Sequence, residues 1–174
     1  MLQCRNLKVS FLCKRDINIQ FADKCIISRC RISIILRHPG LGCVFTIYNH
    51  SLKTLHCTGI KEIEVIPKIK NFIKYELYNE TLDFNIDNSL FTCKQSLPIS
   101  LTTVIERIDK SKNPLYYCTR STELFPALFL KTIQKKIGYP TVILFHNSSY
   151  VLIGGKTIDK VKTADLFVKS ITKL

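Results

Sequence analysis

Three short apolar runs near the C-terminal end constrain the fold of this chain more than any other feature of its sequence. They are the segments 123–129, 142–145 and 151–156, and they are separated by Pro, Gly, Asn and Ser. Short apolar runs interrupted by such residues are typical of strands rather than of a helix. The sequence therefore predicts three adjacent strands, in which an antiparallel pairing would bring Phe125 and Phe145 together beside a loop.

The same succession of elements occurs earlier in the chain. A β-rich run at 31–37 is followed by a turn rich in Pro and Gly, by a strand at 43–48 and by a strand at 55–61. The last strand of each set precedes a segment, 63–77 or 158–174, with apolar residues three and four apart, which indicates an amphipathic helix. An internal duplication is the simplest account of this order.

The charge of the chain favours a polyanionic partner. Its 26 Lys and Arg against 13 Asp and Glu give a formal net charge of +13. The basic residues are scattered and form no single basic amphipathic helix, which argues against a membrane surface. The sequence has no apolar run of 18 residues and no N-terminal targeting pattern. We therefore expect no membrane association and a nuclear or cytosolic location.

Neither a metal site nor an enzyme is predicted. The eight cysteines form no Cys-x-x-Cys pair, and the closest two, Cys25 and Cys30, have no His pair to complete a zinc site. Several cysteines lie inside apolar strands, as free thiols do in a reducing compartment. The four His lack a partnering nucleophile or carboxylate pair at a recognisable spacing, and no phosphate-binding Gly loop is present. No cofactor is expected.

Taken together, these segments resemble the core of the TATA-box-binding protein (TBP) family. In the second half the matching residues are the Glu-Leu-Phe-Pro of 123–126, the aliphatic strand that ends at Phe145, the segment 82–101, and the Gly-x-Lys of 154–156. In the first half they are Leu2-Gln3 and the Cys-Thr-Gly-x-Lys of 57–61. The resemblance spans residues 2–174 and is thin over 17–36.

The resemblance implies an α+β fold. This is the TBP-like saddle, in which two pseudo-symmetric repeats, here 1–79 and 80–174, form a curved antiparallel sheet with helices on its convex face. The weak pattern over 17–27 predicts a short or irregular first helix. The segment 110–122 is longer than in the family and is expected to be a loop that contains Tyr116 and Tyr117.

The function implied is that of a general transcription factor, without enzymatic activity. It would bind and bend A·T-rich promoter DNA through the minor groove and nucleate assembly of the initiation complex. The partners implied are double-stranded promoter DNA, a transcription factor IIB-like protein, a transcription factor IIA-like protein and the RNA polymerase machinery. The location implied is the nucleus or an equivalent transcription compartment.

The resemblance also assigns roles to single residues. The positions of inserting aromatic residues carry Phe125, Phe145 and Tyr48, whereas the fourth such position falls near Arg31 or Ile32, a departure from the family. The positions for base contacts carry Asn88, Thr58, Leu90, Val151, Ile153 and Cys4. Those for phosphate contacts carry Arg37, Lys131, Lys61 and Lys156. Those for the factor IIB-like partner carry Glu123 and Leu124.

Two of the base-contact positions depart from the family pattern. The family has Asn where Cys4 stands and Thr where Ile153 stands, so that each half keeps one polar group, Thr58 or Asn88. We therefore expect fewer hydrogen bonds to bases and a less exacting preference for a TATA sequence. From residue type alone, Thr58 is equally an ordinary strand residue and Asn88 a turn residue.

Other functions remain open on the sequence. A divergent relative could keep the fold and act mainly as a protein-binding adaptor with weak or relaxed DNA specificity. In this chain the aromatic wedge of the first half, meaning its pair of inserting residues, and two central polar groups differ from the family. An RNA-binding sheet would use aromatic residues to stack on bases. Aromatic residues also commonly fill protein cores, so Phe125 and Phe145 could be ordinary core residues.

Overall fold

The computed structural model of the chain describes residues 1–111, 115–120, 126–133 and 138–172. The chain divides into two compact units by its internal contacts. We call Arg5–Asp87 the N-terminal unit, and Met1–Cys4 together with Asn88–Leu174 the C-terminal unit. Every strand pairing given below is antiparallel.

The N-terminal unit contains most of the first strand, four further strands and one α-helix. In chain order the elements are β1 (Leu2–Cys13), a 3-10 turn (Ile19–Phe21), β2 (Ile26–Arg29), β3 (Ser33–Arg37), β4 (Val44–Tyr48), β5 (Thr54–Ile60) and α1 (Val65–Tyr75). The strands lie side by side in the order β2-β3-β4-β5-β1. The 3-10 turn, capped by the side chain of Asn18, is the short first helix that the sequence predicts.

The C-terminal unit repeats this succession. Its elements are β6 (Thr81–Cys93), which starts in the other unit, α2 (Leu101–Lys110), β7 (Tyr116–Arg120), β8 (Ala127–Thr132), β9 (Thr141–Phe145), β10 (Tyr150–Ile153) and α3 (Ile158–Thr172). The strand order is β6-β10-β9-β8-β7. In both units the first strand in sequence lies beside the fifth, followed by the fourth, third and second.

Helices cover one side of the strands in each unit. The side chains of α1 that recur at helical spacing are buried, and Phe72 stacks on Phe45 of β4 with ring centroids 5.1 Å apart. In the C-terminal unit, Phe167 of α3 packs against Tyr116 at 5.0 Å. Alternate strand residues therefore enter the core, and the residues between them lie on the opposite side of the strands.

The prediction of a loop containing Tyr116 and Tyr117 is wrong. Both residues begin β7, which pairs with β8. Tyr116 is buried because its ring packs beneath α3 and its hydroxyl donates a hydrogen bond of 3.0 Å to the carbonyl of Pro140. The segment expected to be a loop thus contains a strand, which pairs with the strand that follows it in the chain.

Among the described residues, no helix combines the length and apolar character needed to cross a membrane.

Candidate nucleic-acid interface

The side of the strands opposite the helices carries most of the predicted contact residues, and we call it the open face of each unit. In the C-terminal unit, it is formed by residues that alternate with buried core positions on β6, β10, β9 and β8. They are Asn88, Leu90, Thr92, Val151, Ile153, Thr141, Ile143, Phe145, Phe129 and Lys131.

The centre of this open face is apolar. Ile143 has Val151 and Phe129 as its cross-strand partners, and Ile153 lies opposite Leu90. These side chains are half-buried, except Ile153, which is 38% exposed. A surface of this kind offers no hydrogen bonds, so each additional polar group that is pressed against it costs free energy.

Phe145 lies at the edge of the apolar surface. It ends β9 opposite Ala127 and is half-buried, so it is not enclosed in the core. Its expected neighbour in the wedge, Phe125, lies outside the described residues, as do Glu123 and Leu124.

Cations border the same face. Lys131 of β8 is exposed and lies opposite Tyr117. Lys156 is exposed just beyond β10, where its backbone N–H donates to the carbonyl of Gly138 at 2.8 Å. Of these two predicted phosphate contacts, Lys131 therefore lies on the open face, and Lys156 lies in the segment that connects β10 to α3.

The N-terminal unit brings other predicted residues together in the same way. Its open face consists of Asn6, Lys8, Ser10, Ile35, Arg37, Val44, Thr46, Tyr48, His56 and Thr58. Val44 has Arg37 on one neighbouring strand and Thr58 on the other. Lys61 is exposed directly after β5. Arg31 and Ile32, near which the fourth inserting position falls, precede β3 and are both exposed.

Tyr48 is held by two histidines. Its ring stacks on that of His50 at 5.6 Å and meets His56 edge-on at 5.2 Å. The aromatic group at the end of β4 is thus supported from two sides. Phe145, at the corresponding end of β9, has Ala127 as its partner on β8, whereas Tyr48 has Ser33 as its partner on β3.

A polar cluster on this open face was missed by the sequence reasoning. Asp87 accepts a hydrogen bond of 2.9 Å from the hydroxyl of Ser10, and its other carboxylate oxygen lies 3.7 Å from Nδ1 of His56. The alternation of Thr54, His56 and Thr58 with buried residues could have placed His56 beside Thr58, whereas nothing in the sequence joins Asp87 to them.

Equivalent positions in the two units can be matched by a shared irregularity. Gly59, the penultimate residue of β5, and Gly154, directly after β10, both have left-handed backbones, with φ of +86° and +85°. Two residues before each glycine, Cys57 pairs with Val9 of β1 and Leu152 pairs with Phe91 of β6. The register therefore makes Val9 equivalent to Phe91.

This register identifies Asn6 as a further candidate contact residue. Asn6 and Asn88 each lie three residues before the matched positions, and both are exposed. Asn6 also accepts a hydrogen bond of 3.0 Å from the backbone N–H of Gly59, which places it next to Thr58. Cys4 lies two residues earlier on the same strand and is half-buried. A local alignment around Leu2-Gln3 could not reveal this, because strand pairing decides the match.

The two open faces differ in chemistry at matched positions. The N-terminal unit is polar where the C-terminal unit is apolar in three pairs, which are Lys8 and Leu90, Thr46 and Ile143, and His56 and Val151. A fourth pair, Thr58 and Ile153, follows the same pattern, and one pair, Val44 and Thr141, reverses it. The two units share strand order but present different surfaces to a ligand.

No group of three or more His, Cys, Asp or Glu in the described ranges is arranged to hold a metal ion.

Comparison with solved structures identifies the architecture. The TBP of Methanococcus jannaschii is similar to this chain with a TM-score of 0.62 and 18% sequence identity, over 99% of both chains. No protein-family model and no curated protein sequence matches. A likeness at this level of identity shows the fold, and the predicted α+β, TBP-like fold class is confirmed. The chain has the TBP fold.

Proposed function

We propose that this chain is a non-enzymatic transcription factor that binds and bends A·T-rich promoter DNA through the minor groove. The observation that carries the proposal is the open face of the C-terminal unit, where Leu90, Ile143 and Val151 form an apolar strip bordered by cations. Minor-groove binding by a TBP fold requires a strand face that is apolar and not covered by helices, and the open face of the C-terminal unit has both properties.

The chemistry of the groove explains the preference for A·T pairs. In the minor groove, A·T pairs present only acceptors, whereas G·C pairs add the guanine amino group. An amino group pressed against Ile143 or Val151 would lose its hydrogen bonds to water without replacement. The C-terminal unit therefore favours A·T pairs by excluding the alternative.

Bending follows from insertion of an aromatic wedge. Phe145 stands at the margin of the apolar strip, and its family position is one that enters a base step. Insertion of an apolar side chain unstacks the step and kinks the duplex, which lets the DNA follow more of the protein surface. Phe125 is proposed as the second ring of this wedge, and Tyr48 as the inserting residue of the N-terminal unit.

Base contacts and phosphate contacts have separate roles. We assign hydrogen bonding to bases to Thr58, Asn88 and Asn6, and shape recognition to the apolar residues Leu90, Val151 and Ile153, with Cys4 as an adjoining contact two residues before Asn6 on β1. Arg37, Lys61, Lys131 and Lys156 position the duplex through its phosphates. The net charge of +13 supports strong salt-dependent attraction to DNA.

The proposed partners follow from the same role. A carboxylate at Glu123 beside Leu124 suits a basic protein surface, and a transcription factor IIB-like protein is the expected occupant. A transcription factor IIA-like protein and the RNA polymerase machinery would join this assembly in the nucleus or an equivalent compartment. Glu123→Arg should abolish the ternary complex while DNA binding persists. Retention of the ternary complex by this variant would contradict the assignment.

We further propose that residues 1–79 and 80–174 descend from one duplicated repeat. The identical strand order in the two units and the matched left-handed glycines support this division.

The direct test is DNA binding with a bending readout. Fluorescence anisotropy and energy transfer between dyes at the duplex ends should show tight, salt-dependent binding and bending of A·T-rich duplexes. Weaker binding is expected for G·C-only duplexes and for single strands. Failure to bind any duplex at low salt, with the protein folded by circular dichroism, would reject the proposal.

A second candidate function is a protein-binding adaptor with weak or relaxed DNA specificity. The polar open face of the N-terminal unit favours this function. Lys8, Thr46 and His56 stand there, whereas the matched positions of the C-terminal unit are apolar. An adaptor would show a small salt dependence and no bending, yet it would still capture a transcription factor IIB-like protein. The bending measurement therefore separates the two functions.

A further inference from the structure

The polar cluster formed by Ser10, His56 and Asp87 stands on the face that the proposed function assigns to the minor groove. Asp87 accepts from the hydroxyl of Ser10 at 2.9 Å, and its side chain is 30% exposed. His56 Nδ1 lies 3.7 Å from the carboxylate, is buried, and has no hydrogen-bond partner. A carboxylate in such a place is unexpected on a surface that approaches phosphates.

The cluster adjoins positions already assigned to base contact. Ser10 and Thr46 are the cross-strand partners of His56 on its two sides, and Thr58 follows two residues later on the same face. Lys8 lies two residues before Ser10 on the same open face of β1, so positive charge stands near the carboxylate. The negative group therefore lies on the face that the proposed function turns toward the bases.

A carboxylate has one specific counterpart in the minor groove. The guanine amino group is the donor that distinguishes G·C from A·T there. An ionised carboxylate only accepts hydrogen bonds and offers roughly four lone-pair sites, so the bond from Ser10 does not exhaust its capacity. A hydrogen bond to a charged acceptor is also stronger than one between neutral groups.

We propose that the N-terminal unit accommodates G·C pairs in the minor groove, with Asp87 accepting a hydrogen bond from the guanine amino group and Ser10 positioning the carboxylate. The C-terminal unit carries Val151, Ile143 and Leu90 where the N-terminal unit carries His56, Thr46 and Lys8, and it excludes the same group. The binding site on DNA is therefore asymmetric, with an A·T-only part and a part that tolerates G·C. This inference rests on the proposed minor-groove function.

The experiment isolates the amino group itself. In an A·T duplex that the protein binds, single A·T pairs are replaced in turn by G·C and by inosine·C, which lacks only the guanine amino group. The ratio of the dissociation constants for G·C and inosine·C then measures the effect of that group alone. We expect a ratio of about ten at positions under the C-terminal unit. At positions contacting the N-terminal unit, the ratio should be one or lower.

Variants link the effect to the residue. Asp87→Ala should raise the low ratios to about ten and leave the high ratios unchanged, because the acceptor is lost only in the N-terminal unit. Ser10→Ala should raise the same ratios by a smaller factor. Asp109→Ala removes an exposed carboxylate from α2 and should change neither set. Circular dichroism spectra that match the wild type show that each variant is folded.

The outcomes separate this inference from the proposed function. Equal ratios at every position, or ratios that Asp87→Ala and Ser10→Ala do not alter, would overturn the inference while A·T binding and bending persist. Failure of the wild-type protein to bind any duplex would overturn both.

Discussion

Tyr150 donates a hydrogen bond from its buried hydroxyl to the carboxylate of Asp165, which also pairs with Lys169 at 2.6 Å. Tyr150 is 1% exposed and Asp165 is 7% exposed. Burial, followed by the bond to Asp165, raises the pKa of Tyr150 far above its usual range. The interaction fastens β10 to α3 beneath the open face of the C-terminal unit, so it stabilises the surface that carries Val151 and Ile153.

Removal of this hydroxyl should therefore destabilise the protein. Tyr150→Phe keeps the ring but leaves the buried carboxylate with one partner fewer, and we expect a loss of about 1–3 kcal/mol in the free energy of unfolding. Urea denaturation followed by circular dichroism measures it. Tyr75→Phe, at a tyrosine that is 61% exposed, is the matched control and should have no measurable effect. Equal stability of the two variants would contradict the assignment.

Substitution of the left-handed glycines near the ends of β5 and β10 should lower the stability of the protein. An Ala at Gly59 or Gly154 must adopt a φ near +85°, which costs about 1–2 kcal/mol for a residue with a Cβ atom. Gly40→Ala is the control, because Gly40 has no left-handed backbone and its new Cβ atom would meet only the side chain of His38, at 3.3 Å. Urea midpoints should fall further for Gly59→Ala and Gly154→Ala than for the control.

The wedge residues should contribute differently to DNA bending. Phe145→Ala removes apolar area from the margin of the C-terminal open face, and we expect about a tenfold loss of affinity together with a smaller bend. Tyr48→Ala should have a smaller effect, because His50 and His56 support that ring on a polar face. Energy transfer across the bound duplex measures both, and Tyr75→Ala is the control. A normal bend with Phe145→Ala would contradict its role.

Phosphate contacts should appear in the salt dependence. Arg37→Ala and Lys131→Ala should each reduce the slope of log affinity against log salt by about one unit, with a uniform effect across DNA sequences. Lys162→Ala removes an exposed cation from α3 and should leave the slope unchanged. Anisotropy titrations at several salt concentrations provide the slopes. Equal slopes for all three variants would show that the net charge acts without specific contacts.

Thiol reactivity offers an independent check of the burial pattern. Burial raises the pKa of Cys13 to about 11, and a hydrogen bond with Cys43, together with burial, raises the pKa of Cys57, so few of these thiols are ionised at pH 8. Cys30 is exposed. We expect a maleimide to label Cys30 first and to reach Cys13 and Cys57 only in denaturant, as measured by peptide mass spectrometry. Rapid native labelling of Cys13 would contradict the core assignment.

Much of the architecture could be predicted from local patterns. Short apolar runs bounded by Pro and Gly identified the strands, helical spacing identified α1 and α3, and the weak segment at 17–27 became a 3-10 turn. These features depend on residues close together in the chain. The strand at Tyr116 was missed because its evidence is the pairing with β8, which is a contact between separate segments of the chain.

The amino-acid sequence by itself determined the repeated order of strands and helices, the positive charge and the candidate contact residues, because propensity, periodicity and turn chemistry are local properties. Only the tertiary structure decided which residues share the open faces. It joined Asp87 to Ser10 and His56, matched Asn6 with Asn88, and revealed one polar and one apolar face. Register between distant strands sets these neighbours, and no local pattern specifies it.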